Sequence, residues 1–340
     1  MSNAQNQHYV PKFILRQFLV NQNKEQVSVY DKHLDKGFVT SIKNVMAERR
    51  FNDFAFEDWI VSFEPIASGI ENLILPAYRR IVETRRLDGS PQEKADLGFL
   101  MAFQFLRTKA ARDRYQSLEA MIKTKIEAMG HRMEDIEGWE PQTEDILKRE
   151  ELLGMSDSIA QFAYIIAQKE FRLAEPLPGR SFYLGDNPVC LNNARDFGPY
   201  GNLGLAVKGI EIYLPLSSDL MLCAWCPSIV NEIRATVISE KKKTEMEALG
   251  LHMSGKISAA DMKSLIDPWR SSLKSIEELT QALKIGAPMS SSLENMDFYN
   301  SMQTANAFRY VVCQQSDFGL AKRHNKEFPN LRKGRQFSFA

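Results

Sequence analysis

Net charge is what this chain most plainly lacks: its 340 residues carry 43 lysines and arginines against 43 aspartates and glutamates. No global field therefore draws it to a polyanion, which argues against a dedicated DNA-coating protein and leaves only local electrostatic footprints. Long hydrophobic runs are missing too. No stretch reaches the roughly 18 apolar residues a bilayer-spanning helix needs. The opening Met1-Ser-Asn-Ala-Gln-Asn-Gln-His8 lacks the basic-then-apolar layout of a signal peptide, so the expected location is the cytoplasm. Cysteine is scarce, with four residues (Cys190, Cys223, Cys226, Cys313) too scattered for a disulfide framework. GxxxxGK[ST] and GxGxxG are absent, which removes a P-loop and an ordinary dinucleotide site; GxSxG, HExxH and EF-hand loops are absent as well.

The Cys223-Ala-Trp-Cys226 spacing needs a separate reading. It lies in Leu220-Met-Leu-Cys-Ala-Trp-Cys-Pro227, which reads as a buried strand ending at a proline. A redox pair would instead open a helix, and a zinc site would need a second ligand pair that the chain does not supply. Structural burial is the simpler account.

What is present is the composition of a folded chain, 44% hydrophobic and 25% charged. Pro11 is placed to start a short helix through Leu19, and residues 26–30 and 37–42 read as a hairpin. Apolar residues at Ile60, Phe63, Ala67, Ile70, Ile74, Ala77 and Ile81 predict helix from about 56 to 87, broken near Glu64 and kinked at Pro76. Ser90-Pro-Gln-Glu93 is a capped helix start, and that helix is expected to reach about Met129. A linker over 131–142 precedes a helix over 143–169. Short strands follow within 171–225, then helices over 227–249, 259–285 and 296–315, and an aperiodic basic tail. The expected fold is α+β and helix-rich. A small mixed or antiparallel sheet, built from the N-terminal hairpin and the mid-chain strands, packs against long helices. Residues 1–320 form a single intertwined domain, and 321–340 a basic C-terminal tail.

Candidate site residues are the polar groups that the periodicity places among core positions, where an unpaired group costs about 1–3 kcal/mol. Gln104 and Arg107 border the apolar stripe of Leu97, Leu100, Met101 and Phe105. Arg107 either clamps a carboxylate or phosphate or pairs with a helix glutamate. Glu57, Glu64 and Glu71 are spaced by seven, as metal ligands or a solvated edge would be; for Glu71 a buried partner such as Arg107 is favoured. His8 is a base, a ligand or a surface residue. Asp186, in Gly185-Asp-Asn-Pro188, is either turn chemistry or a ligand at a strand end. In the tail, Lys322, Arg323, Arg332, Lys333 and Arg335, interleaved with Phe328 and Phe337, are candidate nucleic-acid contacts; a merely solvated tail is the alternative.

Gln7-His8-Tyr9-Val10-Pro11-Lys12-Phe13-Ile14-Leu15-Arg16-Gln17-Phe18 resembles the opening signature of a mostly bacterial family, domain of unknown function 4238. The resemblance continues in order through a glutamate-bearing helix (Glu64 or Glu71), Gln104-Phe-Leu-Arg107-Thr108 and Asp186-Asn187-Pro188, covering roughly residues 5–320. It singles out His8, Gln104, Arg107 and Asp186, and implies no established activity.

The leading functional expectation is a phosphodiester-cleaving hydrolase, a nuclease-like effector of bacterial defence or toxin type. His8, Gln104 and Arg107 would be catalytic, and Glu64, Glu71 and Asp186 would ligate a divalent metal, Mg²⁺ or Mn²⁺. Its expected partners are nucleic acid and a protein partner or second copy, with no membrane. The rival is a non-catalytic binding or adaptor module whose polar cluster is a structural network. A third reading is an enzyme on a free nucleotide.

Overall fold

A computed structural model describes residues 6–136, 143–198 and 201–335. Residues 137–142 of the expected linker, and the end of the tail with Phe337, lie outside the described residues. The fold is helix-rich α+β, as the sequence implies.

The N-terminal third is built from short pieces. β1 (Gln7–His8) leads into α1 (Lys12–Leu15), and β2 (Gln26–Asp31) and β3 (Lys36–Ser41) form the expected hairpin. β4 (Ala47–Glu48) returns to pair with β1. A second hairpin, β5 (Asp53–Phe56) with β6 (Trp59–Ser62), occupies the stretch expected to begin a helix. Its turn places Glu57 at φ 53°, off any helical face, so the seven-residue ladder from Glu57 does not form. Ile60 fell on the helical period, yet Trp59, Ile60 and Val61 alternate along an exposed strand.

α2 (Glu64–Thr84) runs through Pro76 without ending. The helix started by Ser90 is two helices, α3 (Pro91–Leu106) and α4 (Lys109–Ala128), separated at Arg107-Thr108. Ser90 caps the first by accepting from the Glu93 amide at 3.1 Å. Thr108 caps the second through the Ala111 amide, a local signal that outweighs the continuing apolar period.

α5 (Glu144–Ala167) lies along α3. Their contact depends on Gly98, where a Cβ would sit 2.4 Å from the Ala163 carbonyl oxygen. Next come β7 (Glu170–Glu175), β8 (Leu184–Gly185), β9 (Cys190–Asn192), β10 (Glu211–Ser217) and β11 (Leu220–Trp225). α6 (Ser228–Met253) and α7 (Ala259–Ile285) pack chiefly on each other. β12 (Met289–Ser290), α8 (Leu293–Asn306), β13 (Tyr310–Val312) and α9 (Gly319–Glu327) complete the chain. The expected helix over 296–315 therefore stops at Asn306, and the tail read as aperiodic begins as a helix.

Two principal sheets result. β12-β7-β11-β10-β9 is antiparallel except where β12 joins β7, and β3-β2-β13-β8 is antiparallel throughout. The N-terminal hairpin thus reaches mid-chain β8 through β13, while the other mid-chain strands form their own sheet.

Alternation along that five-stranded sheet sorts its side chains. Leu173, Leu222, Ala224, Ile212 and Leu214 join α2, α3 and α5 in the main core. Ala174, Cys223, Met221, Tyr213 and Cys190 face α8 on the other side. Each fully buried Leu, Ile or Phe contributes about 1.5–3 kcal/mol, and this two-sided burial is the main source of stability.

Candidate functional site

The N-terminal signature is held by its backbone as much as by its side chains. Gln7 donates to Asp53 at 2.7 Å and accepts from the Asn52 amide at 2.6 Å. His8 is buried, with Nε2 2.8 Å from the Ile42 carbonyl oxygen. A carbonyl only accepts, so the proton of the neutral ring sits on Nε2 and leaves Nδ1 as the acceptor. Burial holds the His8 pKa below its ordinary value, with Lys12 and Arg107 adding to the effect and the Ile42 bond opposing it. The ring is neutral at neutral pH.

Gln104 and Arg107 sit at the end of α3 and reach back to this segment. Gln104 Nε2 donates to the Tyr9 carbonyl at 3.0 Å. Arg107 Nη2 donates to the His8 carbonyl at 2.5 Å, and Nη1 pairs with Glu71. The guanidinium lies 4.4 Å over the Phe103 ring. Of the two readings of Arg107, the glutamate partner is the one the structure contains.

The third motif joins through Thr108, whose hydroxyl donates to Asn187 Oδ1 at 3.0 Å. Asn187 Nδ2 donates to the Asn306 carbonyl at 3.3 Å. Next to it, Asp186 is fully buried and accepts from the amides of Phe308, Arg309 and Tyr310 at 2.7, 2.9 and 3.0 Å. Those amides are captured just past α8, which is why the chain leaves the helix there. Burial raises the Asp186 carboxyl to about 6, against the pull of the three amides and Lys32. The three motifs are thus one connected network, running from Gln7 to Asn306.

That network gathers His8, Glu71, Gln104 and Arg107 around main-chain carbonyls. Glu64 reaches the network only through Asn52, whose Nδ2 donates to it at 2.7 Å and whose amide donates to Gln7. Among the described residues no three His, Cys, Asp or Glu side chains converge as metal ligands would. Glu64, Glu71 and Asp186 each answer to a different partner. In the tail, Lys322, Arg323, Arg332 and Lys333 are exposed, whereas Arg335 turns inward.

Arg335 turns toward a cavity of about 750 Å³. Its walls are apolar, including Phe105, Phe162, Ile165, Val189 and Leu205, and Asn187 and Asn306 from the network reach its edge. Arg114 adds a second cation and lies 5.6 Å from the Phe105 ring centre. Burial lowers the Arg114 pKa, but a guanidinium stays charged at any physiological pH.

Several structural residues escaped the sequence reading. Lys32 is 1% exposed and donates to the carbonyls of Thr304, Ala307 and Leu331 at 2.7, 2.6 and 2.7 Å. Burial pulls its pKa down to about 8, with Asp186 pulling the other way. Arg112 pairs with Glu151 and lies 3.8 Å over Phe51. Lys32 sat in a polar connection with no local mark. Asn187 was visible only as part of the Asp-Asn-Pro turn.

The family model described as "Protein of unknown function (DUF4238)" matches residues 6–317. No curated protein and no solved structure matches the chain.

Proposed function

The chain belongs to the DUF4238 family, and we propose that it is a ligand-binding module whose apolar cavity takes an amphipathic anion. The ligand has an apolar body and one carboxylate or phosphate head. One observation carries this reading: the motif network ends, through Asn187 and Asn306, at the polar edge of a roughly 750 Å³ apolar cavity that also holds Arg114 and Arg335. Cavities of about 300–1,000 Å³ with apolar walls and a few polar groups are the usual form of small-molecule sites. The walls exclude water from the body, and the Arg335 guanidinium fork matches a carboxylate or phosphate. The phosphodiesterase expectation asked His8, Gln104, Arg107 and three carboxylates to surround a substrate. Their present partners, three main-chain carbonyls and three main-chain amides among them, favour a scaffold role instead.

The test is a thermal-shift series with alkyl carboxylates and alkyl phosphates of graded length, run beside free nucleotides. RNA and DNA cleavage is assayed in parallel with Mg²⁺, Mn²⁺ or chelator. Stabilisation that grows with chain length is expected, reaching about 2.7 kcal/mol at a hundredfold excess over Kd. Nucleic-acid cleavage lost in His8→Ala, with no amphiphile bound, would replace this reading by the hydrolase.

A further inference from the structure

The opposite face of the five-stranded sheet, away from the apolar cavity, carries polar groups that the motif network does not use. Cross-strand register places Arg172, Cys223, Tyr213 and Cys190 in one row, and Glu170, Trp225, Glu211 and Asn192 in the next. α8 covers the first row with Tyr299 and Met302. Where its cover ends, a cavity of about 360 Å³ opens between the sheet and the β12–α8 junction.

Two opposite charges line this cavity without meeting. The Arg172 guanidinium lies 3.6 Å over the Trp225 ring, with Nη2 3.4 Å from the Tyr299 hydroxyl. Glu211 accepts from Asn192 Nδ2 at 2.5 Å. Neither forms an ion pair among the described residues. They stand on the two strands flanking β11, in neighbouring rows.

Three buried polar atoms here also lack a partner: Arg172 Nε, Trp225 Nε1 and Ser291 Oγ. Ser291 is 5% exposed. Native interiors seldom leave such groups unmatched, and three on the lining of one cavity mark a place that something else completes. The N–H groups and the hydroxyl suit a carboxylate, and Glu211 suits an ammonium. Tyr213, Phe298 and Tyr299 meet edge to face and tilted, with centroids 5.1–5.8 Å apart, and give an aromatic wall for an apolar substituent.

We propose that this cavity binds a free α-amino acid with an apolar or aromatic side chain. Its carboxylate lies toward Arg172, Trp225 Nε1 and Ser291 Oγ, and its ammonium toward Glu211. A zwitterion is the small ligand that satisfies both charges at once and leaves the protein's net charge unchanged. The amphiphile site lies across the sheet, so either reading can fail alone.

The experiment is calorimetric titration of the full chain with the standard amino acids, then with 3-phenylpropionate and phenethylamine, which each keep one of phenylalanine's two charges. Saturable binding of at least one apolar or aromatic amino acid is expected, with each one-charge analogue weaker by about tenfold or more. Arg172→Met keeps the stem over Trp225, and Glu211→Gln keeps an acceptor for Asn192; circular dichroism checks that both fold. Both variants should weaken the zwitterion by about tenfold or more. Ala206 is exposed and lines the apolar cavity across the sheet, so Ala206→Trp should leave this binding unchanged. No saturable binding by any amino acid, equal affinity for phenylalanine and 3-phenylpropionate, or full binding by both folded variants overturns the proposal.

Discussion

Arg107 donates to the main-chain oxygen of His8 across 2.5 Å while pairing with Glu71. The residue best suited by chemistry to clamp a phosphate thus clamps the family signature to α2 and α3. A planar fork does this well because two of its donors point to two different acceptors without bending.

Removing that fork should destabilise the fold. Arg107→Ala leaves Glu71 unpaired and the buried His8 carbonyl without its donor, at a cost of about 3–5 kcal/mol. Arg107→Lys, with one ammonium for two acceptors, should lose a smaller part. Urea denaturation measures both; an Arg107→Ala protein as stable as the parent would show that the network does not hold the segment.

Gly98 makes a second, independent prediction. With the Ala163 carbonyl 2.4 Å from where a Cβ would stand, Gly98→Ala must push α3 and α5 apart. The expected loss is about 1–3 kcal/mol in the same denaturation assay. An unchanged midpoint would mean that the helices are not packed this closely.

Asp186 gives a pH dependence of definite sign. Its folded carboxyl titrates at about 6 against an ordinary 3.8, so between those values the folded chain holds the extra proton. The group's contribution is full below 3.8 and is lost as pH rises through about 6. Asp186→Asn keeps an acceptor and cannot titrate. The unfolding free energy of the parent minus that of Asp186→Asn should therefore fall as pH rises through this window. A flat or rising difference would contradict it.

The cysteines should separate by reactivity. Cys226 stands between β11 and α6, where a redox cysteine would, rather than inside the strand with buried Cys223. Its sulfur is 3.2 Å from the Ser228 hydroxyl. The Ser228 hydroxyl and amide, the Gly209 amide and the Lys169 charge bring its pKa below the ordinary thiol value despite the opposing effect of burial. Burial pushes Cys190 up to about 12 and raises Cys223 as well. Iodoacetamide should label Cys226 first, at a pH where Cys190 and Cys223 stay untouched, and Ser228→Ala should move that labelling to higher pH. Equal labelling of all three in the folded protein would refute the assignment.

Much of the architecture was legible because its signals are local. Ser90 and Thr143 cap helices as their sequences require, and α7 spans the stretch its periodicity marks. The misreadings have two causes: local turns and caps that outweigh an apolar period, as at Thr108, and distant partners. The β5–β6 hairpin fell on a helical period because Ile60 and Phe63 happen to be three apart. α8 stops because Asp186, more than a hundred residues earlier, takes the next amides. The motifs named residues that the fold joins by hydrogen bonds, but not their contacts. The apolar cavity was invisible, since its walls come from α3, α4, α5, β9, α8, residues 203–207 and the C-terminal segment, each unremarkable alone.

The most direct test of the account is an equilibrium titration of the parent and Ala206→Trp with the alkyl carboxylate that gives the largest thermal shift. Ala206 is exposed and lines the apolar cavity, so the indole obstructs it without entering the core. The account predicts saturable binding to the parent, lost in Ala206→Trp at unchanged unfolding midpoint. Equal binding by both proteins, or none by either, would contradict it.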